Sequence, residues 1–177
     1  MNRYPDDPYD RIWFPYVDVT RWAEISTDMQ VATGNVYFEP PFAVMQTAIR
    51  PRNVSENIKF TLELQSNFPR DLWLGYIDSL HFAELQRLPS DALREFNINN
   101  GALNYRKAYR PDYLSIFTIY SQEPTQFGSE YTMSLDATAN STLPPIINAI
   151  EIFSVISTAL VGTDSQDGAI MIYLSDA

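Results

Sequence analysis

WLGYIDSLHFAEL, residues 73–85, is long and mostly apolar. The placement of Gly75, Ile77 and Phe82 favours an extended strand over a helix, and a run of this kind suits the centre of a sheet. The stretch also holds the one histidine of the chain, His81, three residues before Glu84. On a helix the two would share a face. In a strand, successive side chains alternate, so an odd spacing sends them to opposite faces. Asp78 falls on the Glu84 side and also misses the histidine. The strand reading therefore argues against an acid–base pair here. It predicts that His81 and Glu84 are paired internally, with backbone groups or with Arg87 or Arg94.

The flanking sequence repeats the strand signal. IKFTLELQ (58–65) alternates Ile58, Phe60, Leu62 and Leu64 with polar residues. YLSIFTIYS (113–121) and SEYTMSLDAT (129–138) alternate too, and IINAIEIFSV (146–155) is a further apolar run. MQVATGNVYFE (29–39) and FAVMQTAI (42–49) are separated by Pro40-Pro41, and the second stops at Pro51. REFNI (94–98) runs into Asn100-Gly101, a hairpin signal because both residues tolerate positive φ. SDALREF (90–96) reads either as a short helix or as a turn entering a strand. This pattern predicts an all-β fold: an antiparallel β-sandwich of jelly-roll type, with about eight strands and little helix. A parallel α/β fold needs amphipathic helices between strands, and none is seen. One domain is expected over 1–177, with a turn-rich opening at 1–24 and a divergent tail at 156–177.

Composition narrows the function. Of 177 residues, 45% are apolar and 14% aromatic, enough to fold around a core. The 22 acidic and 12 basic residues give a net charge of −10, which repels phosphate backbones and disfavours nucleic acid as a partner. With no cysteine, disulfides, thiolate zinc sites and cysteine nucleophiles are excluded. The first ten residues, MNRYPDDPYD, lack an apolar leader, so no signal peptide is expected within the chain. The longest apolar stretch, 144–162, contains Asn148, Glu151 and a proline pair, too polar for a bilayer span.

No catalytic constellation stands out. A lone histidine is a poor start for zinc or iron, and nucleophile-elbow, P-loop and dinucleotide motifs are absent. No metal or cofactor is predicted. Two separated carboxylates are enough for a glycosidase, which keeps that reading open as a minor one. Asp6, Asp7 and Asp10, set among Pro5 and Pro8, read as turn caps or as hard ligands for calcium. The aromatic residues carry more interest. Trp13, Tyr16 and Trp22 lie near Arg11 and Arg21, and flat rings beside polar groups are what a sugar site uses. Trp13 and Trp22 read more readily as core anchors at a domain edge. Tyr105, Tyr109 and Tyr113 form a second candidate rim, in which Tyr109 is the candidate ligand contact. Asn53-Val54-Ser55 and Asn140-Ser141-Thr142 are N-glycosylation sequons next to breakers, so Asn53 and Asn140 are expected on exposed loops.

A set of motifs in fixed order adds to this reading. YPDDPYDRIW (4–13), IST (25–27), PPFAVMQTA (40–48), HFAELQRL (81–88), REFNI (94–98) and STLPPIINAIEI (141–152) together resemble the malectin-like extracellular domain of plant receptor-like kinases. The resemblance covers nearly the whole chain. It implies a β-sandwich lobe, the second of two in tandem, on the outer face of the plasma membrane. It also implies a non-catalytic role: binding cell-wall carbohydrate or a secreted peptide, with a second lobe or a co-receptor as partner. A structural lobe with no ligand of its own is the alternative. Two departures stand out: Asp78 and Ser79 interrupt a segment that is usually Tyr-rich and aliphatic, and GAIMIYLSDA (168–177) diverges. No ligand-contacting residue of the family transfers onto this chain.

Overall fold

The computed structural model of the chain describes residues 7, 9, 11–32, 39–63, 72–100, 103–126, 130–157 and 173–174. In chain order the elements are β1 (Trp22–Ser26), α1 (Phe42–Met45), β2 (Thr47–Pro51), β3 (Ile58–Glu63), β4 (Trp73–Phe82), β5 (Phe96–Asn100), β6 (Leu103–Tyr109), β7 (Phe117–Tyr120), β8 (Glu130–Ala137), β9 (Ala149–Ile156) and β10 (Tyr173–Leu174). Two four-stranded sheets, ordered β10-β9-β4-β7 and β3-β8-β5-β6, form the sandwich, and β1-β2 is a separate ribbon. Every strand pair is antiparallel. The predicted central strand is β4, flanked by β9 and β7.

Alternation fills the space between the sheets. Tyr131, Met133 and Leu135 of β8, Ile58 and Phe60 of β3, and Phe96 and Ile98 of β5 are all buried. The opposing layer supplies Leu80 and Phe82, and the rings of Phe82 and Phe96 meet at 5.5 Å across the sandwich. Asp78, Leu80 and Phe82 of β4 thus face the other sheet. His81 faces outward, where Glu151 links it to Arg11 of the opening segment. Gly75 interrupts the register at a bulge with φ of +137°, a backbone state open to glycine and strained for other residues.

The structure changes two sequence expectations, at FAVMQTAI and at the start of β1, and decides the open one at SDALREF. FAVMQTAI is not one strand. Pro41 starts a single helical turn, α1, whose Val44 and Met45 amides bond back to the Pro41 carbonyl. The turn drops Met45 into the core before β2 begins. SDALREF is the turn rather than the helix: the Ala92 amide bonds to the Pro89 carbonyl, and the chain enters β5 at Phe96. Within 29–39, Ala32 makes an isolated bridge to Ser115, and 33–38 lie outside the described residues. The Asn100-Gly101 signal does mark a hairpin, with Asn100 opposite Leu103, although Gly101 and Ala102 are themselves outside the described set. β1 starts inside the segment read as turns. Among the described residues no helix is long and apolar enough to cross a membrane.

Candidate functional site: an aromatic step over a buried ion-pair chain

His81 lies on the outward face of β4 but is fully buried. Its Nε2 is 2.9 Å from Oε2 of Glu151, on the adjacent strand β9. A carboxylate only accepts, so Nε2 carries a proton; Nδ1 then meets the Thr118 hydroxyl of β7 at 2.9 Å. The second oxygen of Glu151 accepts from Arg11 Nη1 at 2.8 Å. Arg11 Nε in turn donates to Asp7 Oδ2 at 2.8 Å, and Trp13 Nε1 donates to the same oxygen at 2.7 Å. This chain of buried charges fastens the opening segment onto the sheet. Burial alone would raise the Asp7 carboxyl. Bonds from Arg11, Trp13 and the Tyr9 amide outweigh it and hold the group below its ordinary 3.8.

Glu84 sits elsewhere, as its parity requires. It accepts from Arg94 Nε at 2.6 Å, one of the partners expected for it, and from the Gln86 amide. Arg94 also donates to the Pro144 carbonyl. The partners of His81, in contrast, are Thr118 and Glu151 rather than an arginine or the backbone, because the cross-strand neighbours reach it first. Arg87 instead lies over the Tyr113 ring. Asp78 points between the sheets and accepts from Asn100 Nδ2 at 3.0 Å, from Tyr131 OH at 2.7 Å and from the Ser121 hydroxyl. The acidic interruption of this strand is therefore matched by three donors. With both His81 and these carboxylates out of reach of solvent, none is placed to meet a substrate.

The exposed chemistry is aromatic. Tyr16 leaves 61% of its surface to solvent while its ring rests on Phe60 at 5.7 Å and on Trp22 at 6.1 Å. Trp22 itself is 2% exposed and stacks on Phe60 at 5.0 Å; it is a core anchor that supports Tyr16 from beneath. Trp13 is half-buried, with its indole N–H held by Asp7 and the Arg11 guanidinium 5.0 Å from its ring centre. Phe14 and Val19, on the same segment, are also exposed. Tyr16 is thus an exposed ring held from beneath by Trp22 and Phe60.

Tyr109 belongs to a different place. It stacks on Phe117 at 5.7 Å, and Phe117 reaches Phe82 at 6.5 Å, so the pair closes the sandwich where β6 and β7 form its edges. Burial raises the Tyr109 phenol above its ordinary value. Phe60 lies on β3, the opposite edge of that sheet, so the structure brings Trp13, Tyr16 and Trp22 to one segment and leaves Tyr109 apart. The side chain of Tyr105 and residues Asp6 and Asp10 lie outside the described set. Among the described residues, no three His, Cys, Asp or Glu side chains gather to hold a metal. Asn53 and Asn140 are exposed on turns, as expected. Sequence reasoning missed the roles of Arg11 and Glu151. The only signal for Glu151 was a charge inside an apolar strand, which in a sandwich demands a partner.

A family model for the malectin-like domain matches residues 1–155. A probable leucine-rich repeat receptor-like protein kinase of Arabidopsis thaliana is 39% identical over 167 residues, covering 93% of this chain and 18% of the relative. A putative receptor-like protein kinase of the same plant is 40% identical over 166 residues, with 93% and 18% covered. The chain thus spans under a fifth of the curated relatives it matches. Among solved structures, the ANX1 ectodomain from Arabidopsis thaliana superposes with a TM-score of 0.62 at 17% identity, over 87% of this chain and 45% of that one. FER, in a complex with the plant peptide RALF23 and LLG2, gives a TM-score of 0.52 at 17% identity, over 87% and 45%. At these identities the likeness shows the fold.

Proposed function

Since the chain belongs to the malectin-like domain family, with receptor-like kinases among its relatives, we propose that it is a non-catalytic recognition lobe on the outer face of the plasma membrane. It binds cell-wall carbohydrate or a secreted peptide. The observation that carries this reading is Tyr16: a ring 61% exposed, yet held in place by Trp22 and Phe60. Leaving that much aromatic surface in water forgoes burial energy, and a pre-positioned ring is what a sugar face or an aromatic or proline side chain stacks on. Phe14, two residues earlier, is also exposed, at 64%. The peptide arm is supported by the RALF23 complex of the structural neighbour FER. The match to 45% of the ANX1 ectodomain fits one lobe of a larger ectodomain.

The alternative is a lobe that only packs against another lobe or a co-receptor. Its support is the rim of β7, where Phe117 and Tyr120 are 41% and 54% exposed. A glycan array and a panel of secreted peptides presented to the folded chain separate the two. Binding that falls in Tyr16→Ala supports recognition. A folded chain that binds neither class favours the packing role. Hydrolysis of aryl glycosides, lost in a single Asp or Glu variant, would replace both with an enzyme.

A further inference from the structure

From the geometry of the two sequons we infer that Asn53 and Asn140 carry a pair of N-glycans that shield one end of the sandwich. The first sequon ends just before β3 and the second starts just after β8. These strands are antiparallel neighbours, with Ile58 opposite Leu135, so the start of one and the end of the other share an end of the molecule. Ser55 and Ser141, the middle or last residues of the two sequons, line the same shallow groove of about 340 Å³.

The acceptor atoms are free. Asn53 Oδ1 accepts from the Ser55 amide and hydroxyl, both at 3.1 Å, in an Asx turn, while its Nδ2 donates to nothing among the described residues. The Asn140 side chain makes no hydrogen bond among them. Asn57 and Asn99, near the same end, do use their amide nitrogens: both donate to Asp136. A glycan on Nδ2 of either sequon residue therefore breaks no bond of the fold. The sequon hydroxyl of Thr142 accepts from the Leu93 amide at 2.8 Å and fixes the second turn. The groove between them offers little to a ligand, because both oxygens of its Asp136 are already taken, Oδ1 by Asn57 and Oδ2 by Asn99 and Ser134. The inference rests on the extracellular reading above. Arg52, next to Asn53, donates to the Val19 carbonyl at 3.0 Å, so the first glycan borders the segment that carries Tyr16.

The test secretes the chain from plant cells behind a cleavable signal peptide, which imposes passage through the glycosylation machinery. Enzymatic release in heavy-oxygen water marks each occupied asparagine by mass. Both sites are expected to be marked. N53Q and N140Q should each lose one glycan with an unchanged unfolding midpoint, and T142S should keep its glycan. Radical footprinting of Val54 and Glu56 should rise after glycan removal. A folded, secreted chain with either asparagine bare, or a footprint indifferent to glycan removal, overturns the inference. A doubly glycosylated chain that binds no carbohydrate or peptide leaves it standing and removes the recognition reading instead.

Discussion

His81 Nε2 lies 2.9 Å from Glu151, and the other oxygen of that carboxylate holds Arg11 at 2.8 Å. One glutamate on β9 thus joins the central strand to the opening segment. Removing it leaves two buried groups without their acceptor. Glu151→Ala is expected to cost about 3–5 kcal/mol, because His81 and Arg11 both lose a buried acceptor, even though Asp7 still pairs with Arg11. His81→Ala leaves Glu151 its bond to Arg11 and is expected to cost less, about 1–3 kcal/mol. Denaturant unfolding of both variants measures the order; a larger loss in His81→Ala would contradict it.

Asp78 is expected to couple to Tyr131. Its carboxylate collects donors from both sheets, so Asp78→Ala strands three of them. A double-mutant cycle with Tyr131→Phe should give a coupling of about 0.5–3 kcal/mol, since the two residues share one hydrogen bond. Additive losses would show that the bond contributes nothing.

Gly75→Ala tests the bulge in β4. A Cβ at this position would lie 2.8 Å from the Thr125 carbonyl oxygen, and φ is +137°. The Tyr76 and Thr125 amides and carbonyls bond reciprocally at 2.9 Å, so that backbone cannot retreat freely. A loss of roughly 1–3 kcal/mol is expected, read from the unfolding midpoint.

Acid should loosen the opening segment. The folded Asp7 carboxyl is held below 3.8, so its stabilisation is present above the unfolded value and is lost as pH falls through the folded one. Glu95 behaves the same way below its ordinary 4.5, through bonds from Thr138 and Arg110. The melting temperature should therefore hold at mildly acidic pH and fall once pH drops below about 4. Asp7→Asn should melt lower near neutrality and converge on the parent at low pH. Parallel curves at all pH values would exclude Asp7 as a contributor.

How much of this was readable beforehand depends on range. The strand character of 58–63 and 130–137 follows from alternation, and that of 73–82 from a long apolar run, both properties of neighbours in sequence. The opposed faces of His81 and Asp78 follow from parity alone. The α1 turn was missed because FAVM is apolar throughout, and a four-residue turn after Pro41 has no period to detect. The Arg11–Glu151 pair was invisible because 140 residues separate its members. At the aromatic segment the residue types were legible but their division was not. Only the packing of Trp22 under Tyr16, against Phe60 of another strand, shows which ring anchors and which is presented.

The central claim is that this lobe recognises an extracellular ligand through the exposed ring of Tyr16 and not through its buried histidine. The most direct measurement compares binding by the parent chain, Tyr16→Ala and His81→Ala, with carbohydrate and peptide panels, at a temperature where all three are folded. The parent is expected to bind. Tyr16→Ala should weaken binding roughly 2- to 10-fold, the worth of one stacked ring, and His81→Ala should bind as the parent does. Binding retained by Tyr16→Ala and lost by a folded His81→Ala would contradict the account.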